Sequence, residues 1–132
     1  MDWWTFGVLT YEMIAGIDPF NDDDPMLIYQ KILKGKLKFP SSFDSNAKSL
    51  VKHLLEADLS KRYGNLKGGV SDIKNHRFFK GLDWAKLLQL QLKPPYVPKV
   101  TSNSDISNFS NYPDSDKPSP AIKSSEDPFL EW

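Results

Sequence analysis

A chain of 132 residues suffices for one modest domain, and its polar, proline-rich last third leaves fewer residues for a core. Lys plus Arg and Asp plus Glu balance at 17 each, so no global field favours nucleic acid or an anionic membrane, and partners must be met through local patches. The absence of cysteine excludes a disulfide framework and thiolate metal sites, and neither a signal-peptide pattern nor a membrane-length apolar run is present, which reads as a soluble intracellular protein.

The first predicted element is a helix over Asp2 to Gly16, with Asp2 at the N-cap position and Gly16 as its stop. Only Asp2, Thr5, Thr10 and Glu12 break a coat of apolar and aromatic side chains. A helix apolar all round belongs at the centre of a larger domain. Because this strut opens the sequence, part of its covering is expected to lie outside the 132 residues, leaving one face bare. Ile17-Asp18-Pro19-Phe20 leads out as a loop, since the residue before proline is pushed away from helix.

Asp22-Asp23-Asp24-Pro25 is a helix start, with Asp24 as cap and Pro25 in the first turn; it predicts a helix over Pro25 to Lys34 that stops at Gly35. Its apolar residues exceed one narrow stripe and leave surface for a partner. The aspartate triplet lacks the alternating spacing and distant glutamate of a calcium loop, so capping is its role. Lys36 to Pro40 reads as an extended linker. Ser45 to Ala57 is the cleanest amphipathic helix, its face formed by Ala47, Leu50, Val51, Leu54 and Leu55 and directed at the first helix.

Asp58 to Gly64 is a turn-rich connector, with further turns at Gly68 and Gly69. A short helix over Val70 to Asn75 presents Val70 and Ile73, followed by His76, Phe78 and Phe79. Neither His76 nor His53 has a partner at metal-ligand spacing, so both are read as packing residues. Asp83 to Leu88 predicts one or two helical turns, and Lys93-Pro94-Pro95 an extended path. From Val100 to Asp127 the composition cannot bury enough apolar surface to offset its ordering entropy, so the segment stays mobile unless it docks. Phe109, Tyr112, Phe129 and Trp132 stand on it as spaced anchors for grooves elsewhere, or as incidental aromatics of a plain tail.

Several of these segments resemble one family. Asp2-Trp3-Trp4-Thr5-Phe6-Gly7-Val8-Leu9-Thr10-Tyr11-Glu12-Met13, with Gly16 and Pro19-Phe20 behind it, is similar to the central C-lobe helix of eukaryotic protein kinases. Asp58-Leu59-Ser60-Lys61-Arg62-Tyr63-Gly64 and Asp72-Ile73-Lys74-Asn75-His76-Arg77-Phe78-Phe79 resemble the end of a kinase domain of the AGC group. Asn108-Phe109, Tyr112 and Phe129-Leu130-Glu131-Trp132 resemble the AGC C-terminal tail. The resemblance runs collinearly and is strongest to the cAMP-dependent type. It implies a mainly α fold: an incomplete, helices-only C-lobe over residues 1–80, then an extended, largely irregular tail over 81–132.

The Gly-rich loop, the phosphate-binding lysine, the His-Arg-Asp loop, the Asp-Phe-Gly metal ligand and the Ala-Pro-Glu segment are all absent from these residues. No catalytic residue and no metal or cofactor site is therefore expected in this chain; ATP and Mg belong to the intact parent kinase. The alternative is a short, non-catalytic module that binds a kinase regulatory subunit. By resemblance, Asp2 braces the catalytic loop, Glu12 recognises an arginine of a basic peptide substrate, and Arg62 pairs with the absent Ala-Pro-Glu glutamate, leaving it solvated or mispaired. Phe109 closes over the adenine pocket, and Tyr112 lies near nucleotide and substrate. Phe129 and Trp132 form the hydrophobic motif, with Trp132 where the family has phenylalanine. Tyr29 and Lys67 contact the regulatory subunit. Pro120 occupies the tail phosphosite, which makes Ser119 the nearest candidate. The implied location is the cytoplasm, with the nucleus as an alternative.

A loose packing of three to four helices is expected around Trp3, Trp4, Phe6, Leu9, Leu50, Leu54 and Phe78, without a β-sheet core. The bare face of the first helix would make the chain marginal or prone to aggregation.

Overall fold

The structure is a computed structural model that describes residues 3–113 and 122–129. These residues form helices α1 (Trp3–Ala15), α2 (Pro25–Lys34), α3 (Ser45–Leu54), α4 (Val70–Lys74) and α5 (Trp84–Leu88), with 3-10 turns at Arg77–Phe79 and Ser124–Glu126. No strand occurs among them. Two compact units divide the chain, residues 1–91 and 92–132.

The central contact of the first unit is α1 on α3. Gly7 makes the approach close: a Cβ there would lie 2.8 Å from Leu54 Cβ and 2.9 Å from Leu55 Cδ2. Ala47, Leu50, Val51 and Leu54 are completely enclosed, so the face read from the period of 3.6 does go against α1. The packing is tight there, not loose. One cluster holds Tyr11, Phe20, Phe43, Ala47, Val51 and Leu55; a second holds Leu50, Leu54 and Ile73, with Trp3, Phe6, Tyr63 and Phe79 against it.

Two residues expected in the core are not there. Leu9 is 50 % exposed and Phe78 is 37 % exposed. On α1 the buried residues are Gly7, Thr10 and Tyr11. Leu9 therefore falls on the side that α3 does not reach, together with Met13. Phe78 turns outward at the 3-10 turn while Phe79 goes in and meets Trp84, ring centroids 5.1 Å apart.

The first helix keeps an open face: Leu9, Met13 and Ile14 are all exposed, as is Ile17 just past its end. Its end is a turn at Gly16, with φ of +74° and an N–H that donates to the Glu12 carbonyl at 2.8 Å. The limits of α2 match the local signals. Asp24 accepts from the Met26 N–H at 2.8 Å, Pro25 opens the helix, and Gly35 ends it at φ +59°.

Helix α3 stops at Leu54, three residues short of the expected Ala57, because Leu55 leaves helical geometry as the cap while its side chain stays in the core. The apolar period outlasts the helix. Lys36 to Pro40 is extended as expected, yet it is part of the core. Leu37 and Phe39 pack inward, and the Tyr11 hydroxyl donates to the Lys38 carbonyl at 2.7 Å, tying this segment to α1.

The second unit is held by turns. Asp105 accepts from the Thr101 N–H and hydroxyl, both at 2.7 Å, and from the Ser107 N–H at 2.8 Å, while the Asn108 amide donates to the Lys99 carbonyl at 3.0 Å. These donors hold the Asp105 carboxyl far below the usual carboxylate range.

Candidate functional site

The open face of α1 is the first candidate site. It carries the exposed carboxylate of Glu12 beside Leu9 and Met13. Glu12 forms no ion pair among the described residues. A carboxylate set in an apolar border is positioned to take a cationic side chain, whose partial desolvation strengthens the pairing.

Arg62 sits half-buried on the connector after α3. Its Nε donates to the Glu56 carbonyl at 2.8 Å, and its backbone N–H to the Asp58 carbonyl at 3.1 Å. It meets no carboxylate among the described residues. The turn around it is stiffened by Asp58, which accepts from both the N–H and the hydroxyl of Ser60; these two bonds and Lys61 draw its carboxyl below the ordinary value.

On α2, Met26, Tyr29 and Leu33 recur at i, i+3 and i+7 and are all exposed, Tyr29 at 62 %. Lys67 is exposed in the turn before α4. In the second unit the rings of Phe109, Tyr112 and Phe129 are exposed; the Phe109 N–H donates to the Ile106 carbonyl at 2.9 Å and that of Phe129 to the Asp127 carboxylate at 2.9 Å. Asp2, Ser119 and Trp132 lie outside the described residues.

Sequence reasoning missed one polar cluster. His76 is buried, its Nδ1 accepts from the Phe78 N–H at 3.2 Å, and its Nε2 faces Ser49 Oγ at 3.1 Å. Accepting at Nδ1 leaves the ring proton on Nε2, which donates to Ser49. His53 packs at a tilt against Tyr63 with centroids 4.3 Å apart, and its ring centroid stands 6.0 Å from that of His76. Burial first, then the charges of His53 and Arg77, hold the His76 pKa below its usual value. The cluster joins α3 to the turn after α4, consistent with the packing role read for both histidines. The signal for it in the sequence was only Ser49 and His53 at i, i+4 on one helix.

Among the described residues no group of His, Asp and Glu has the arrangement to hold a metal ion, and no helix is long and apolar enough to cross a membrane.

The family described as protein kinase domain matches residues 1–79. Curated relatives are similar over most of the chain. The cAMP-dependent protein kinase catalytic subunit PRKX of Homo sapiens is 49% identical over 116 residues, covering 88% of this chain and 32% of that protein. The cAMP-dependent protein kinase catalytic subunit 3 of Drosophila melanogaster is 47% identical over 123 residues, 92% of this chain and 21% of that protein. The cAMP-dependent protein kinase catalytic subunit of Dictyostelium discoideum is 48% identical over 112 residues, 85% and 17% respectively. The chain thus spans a third or less of the length of these relatives.

Proposed function

The chain belongs to the protein kinase domain family, and from that premise we propose that it is the C-terminal portion of a cAMP-dependent-type serine/threonine kinase catalytic subunit. In this reading residues 1–80 end the C-lobe and residues 81–132 are the AGC tail. The intact parent transfers phosphate from ATP, with Mg, to Ser or Thr in basic peptides. By themselves the 132 residues do not, because phosphoryl transfer requires metal-held phosphates and a base at the acceptor hydroxyl, and the sequence contains none of the motifs that supply them. Its setting is the cytoplasm, with the nucleus as an alternative.

The observation that carries this reading is Glu12, an exposed carboxylate on the open face of α1, in a chain about half identical to such kinases. It is the group that would take the arginine of a basic substrate. Phe109 closes over the adenine pocket of the parent, Tyr112 lies near its nucleotide and substrate, and Phe129 and Trp132 dock on its small lobe; Asp2 braces the catalytic loop and Arg62 pairs with the Ala-Pro-Glu glutamate; Ser119 is the nearest candidate for the tail phosphosite. The test joins this chain to the N-terminal part of a related kinase and measures transfer to an arginine-containing peptide. The chain alone gives none, the joined protein is active, and Glu12→Gln raises KM for the peptide about tenfold or more with little change in kcat. Turnover by the 132 residues alone, or an unchanged KM, refutes the proposal.

A second reading rests on the exposed face of α2. Met26, Tyr29 and Leu33, with Lys67 elsewhere on the surface, suit a non-catalytic module for a regulatory subunit. Tight binding of a regulatory subunit by the chain alone, lost in Tyr29→Ala, would favour it.

A further inference from the structure

A cavity of about 280 Å³ opens between the end of α1 and the end of α2. Tyr11 and Asp18 line it together with four lysines, Lys31, Lys34, Lys36 and Lys38. Two of the lysines come from the last turn of α2, at i and i+3. The other two come from the extended segment, where Leu37 and Phe39 point into the core and the alternation sends Lys36 and Lys38 to the opposite side. The Tyr11 hydroxyl bond to the Lys38 carbonyl fixes that segment against α1, so the lysine register is set by the core.

Lys31 is neutralised. Its Nζ lies 2.8 Å from Asp22 Oδ2 and donates to the Asn21 carbonyl. Lys34, Lys36 and Lys38 have no ion-pair partner among the described residues. Lys34 has a local reason to stand at the negative end of a helix. Lys36 and Lys38 lie beyond that helix, and helix capping does not account for them. Asp18 is the one acid on the wall, and its Oδ1 is engaged by the Phe20 N–H at 2.7 Å.

A chain of zero net charge therefore places three lysines without an ion pair among the described residues on the lining of one recess. Like charges gathered on low-dielectric walls focus a positive field, which an oxyanion relieves. The volume is near the lower limit of the roughly 300–1,000 Å³ of ordinary ligand pockets, so it admits a small group and not a folded surface. We infer that this pocket is a binding site for a small, multiply charged phosphate group, held by Lys34, Lys36 and Lys38 as point charges.

The probe is pyrophosphate, titrated into the full chain by calorimetry at low ionic strength, with amide chemical shifts recorded for residues 11–38. Saturable one-to-one binding that perturbs the amides of Lys36 and Lys38 is expected, weakening as salt is added. Lys36→Glu/Lys38→Glu, which leaves the inward Leu37 and Phe39 intact, weakens binding about tenfold or more. Asp18→Asn retains the acceptor for the Phe20 N–H, removes the repelling charge and tightens binding several-fold, an outcome readable even if the double variant fails to fold. Lys80→Glu, on a different cationic recess, leaves the affinity unchanged. Sedimentation with phosphoinositide vesicles, lost in the same double variant, would give the phosphate to a lipid headgroup in the same pocket. Absence of saturation, equal binding by the double variant, weakening by Asp18→Asn, or an equal loss in Lys80→Glu overturns the assignment.

Discussion

Replacing Gly64 by alanine tests how the connector that carries Arg62 is fixed to α1. Gly64 has φ of +95°, and a Cβ built on it would stand 2.0 Å from Cδ1 and 2.5 Å from Nε1 of Trp3, where ordinary contact begins near 3.4 Å. A side chain at such a φ costs about 1–3 kcal/mol in backbone strain. The indole cannot swing away freely, since it packs edge-on to Phe6 with centroids 6.1 Å apart and lies against the cluster of Leu50, Leu54 and Ile73. Ring and loop must separate by about 1.5 Å to restore contact distance, and overpacking of that kind adds about 1–3 kcal/mol. The sum is a loss of about 2–6 kcal/mol, against a whole-domain stability of about 5–15 kcal/mol. Gly69→Ala is the control: φ is +54° with ψ −128°, and nothing lies within 4 Å, so only a backbone strain of about 1–3 kcal/mol applies, without the overpacking. Urea unfolding of the two variants should separate them by more than about 1 kcal/mol, and Trp3→Leu should cancel most of the excess in a double-mutant cycle. Equal losses for Gly64→Ala and Gly69→Ala, or no coupling to Trp3, would refute the reasoning.

The α1–α3 contact and the open face of α1 differ in the same assay. Leu50→Ala, at a fully enclosed position, costs about 2–5 kcal/mol, whereas Leu9→Ala, half exposed, costs under about 1 kcal/mol and reduces self-association measured by sedimentation. The N-cap of α3 is a single carboxylate, Asp44, accepting from the Asn46 and Ala47 N–H groups at 2.9 and 2.8 Å, so Asp44→Ala costs about 0.5–2 kcal/mol by urea unfolding. Acid weakens the fold through His76: its folded pKa is below the unfolded value of about 6.5, so the unfolded chain takes the proton first, and stability falls as pH drops from about 6.5 towards the folded value. Protonation of Nδ1 also removes the acceptor of the Phe78 N–H. Denaturation curves at stepped pH should show that slope, and His76→Gln should flatten it.

Elements whose signals are local were legible in the sequence. Asp24, Pro25 and Gly35 state the limits of α2 because capping, the fixed φ of proline and the positive φ of glycine act within a few bonds. The buried face of α3 was legible for a similar reason, since one stripe of Ala47, Leu50, Val51 and Leu54 leaves no other orientation. The family was legible too, because its motifs are strings of residues in order. So was the open Glu12 on α1.

The tertiary structure decided what periodicity leaves degenerate. A helix apolar on every side, such as α1, has no preferred inward face; Gly7 lets α3 approach on one side, and that approach sends Leu9 outward and Tyr11 inward. Phe78 and Phe79 are chemically identical neighbours, and only the turn after α4 chooses between them. The lysine pocket was hidden for a related reason. Lys34, Lys36 and Lys38 look like solvated charges along a chain, and they come to line one recess only where the bond from Tyr11 holds the extended segment against α1. Local sequence fixes conformation over a few residues, while which surfaces meet depends on contacts between residues far apart in the chain, and these exist only once it has folded.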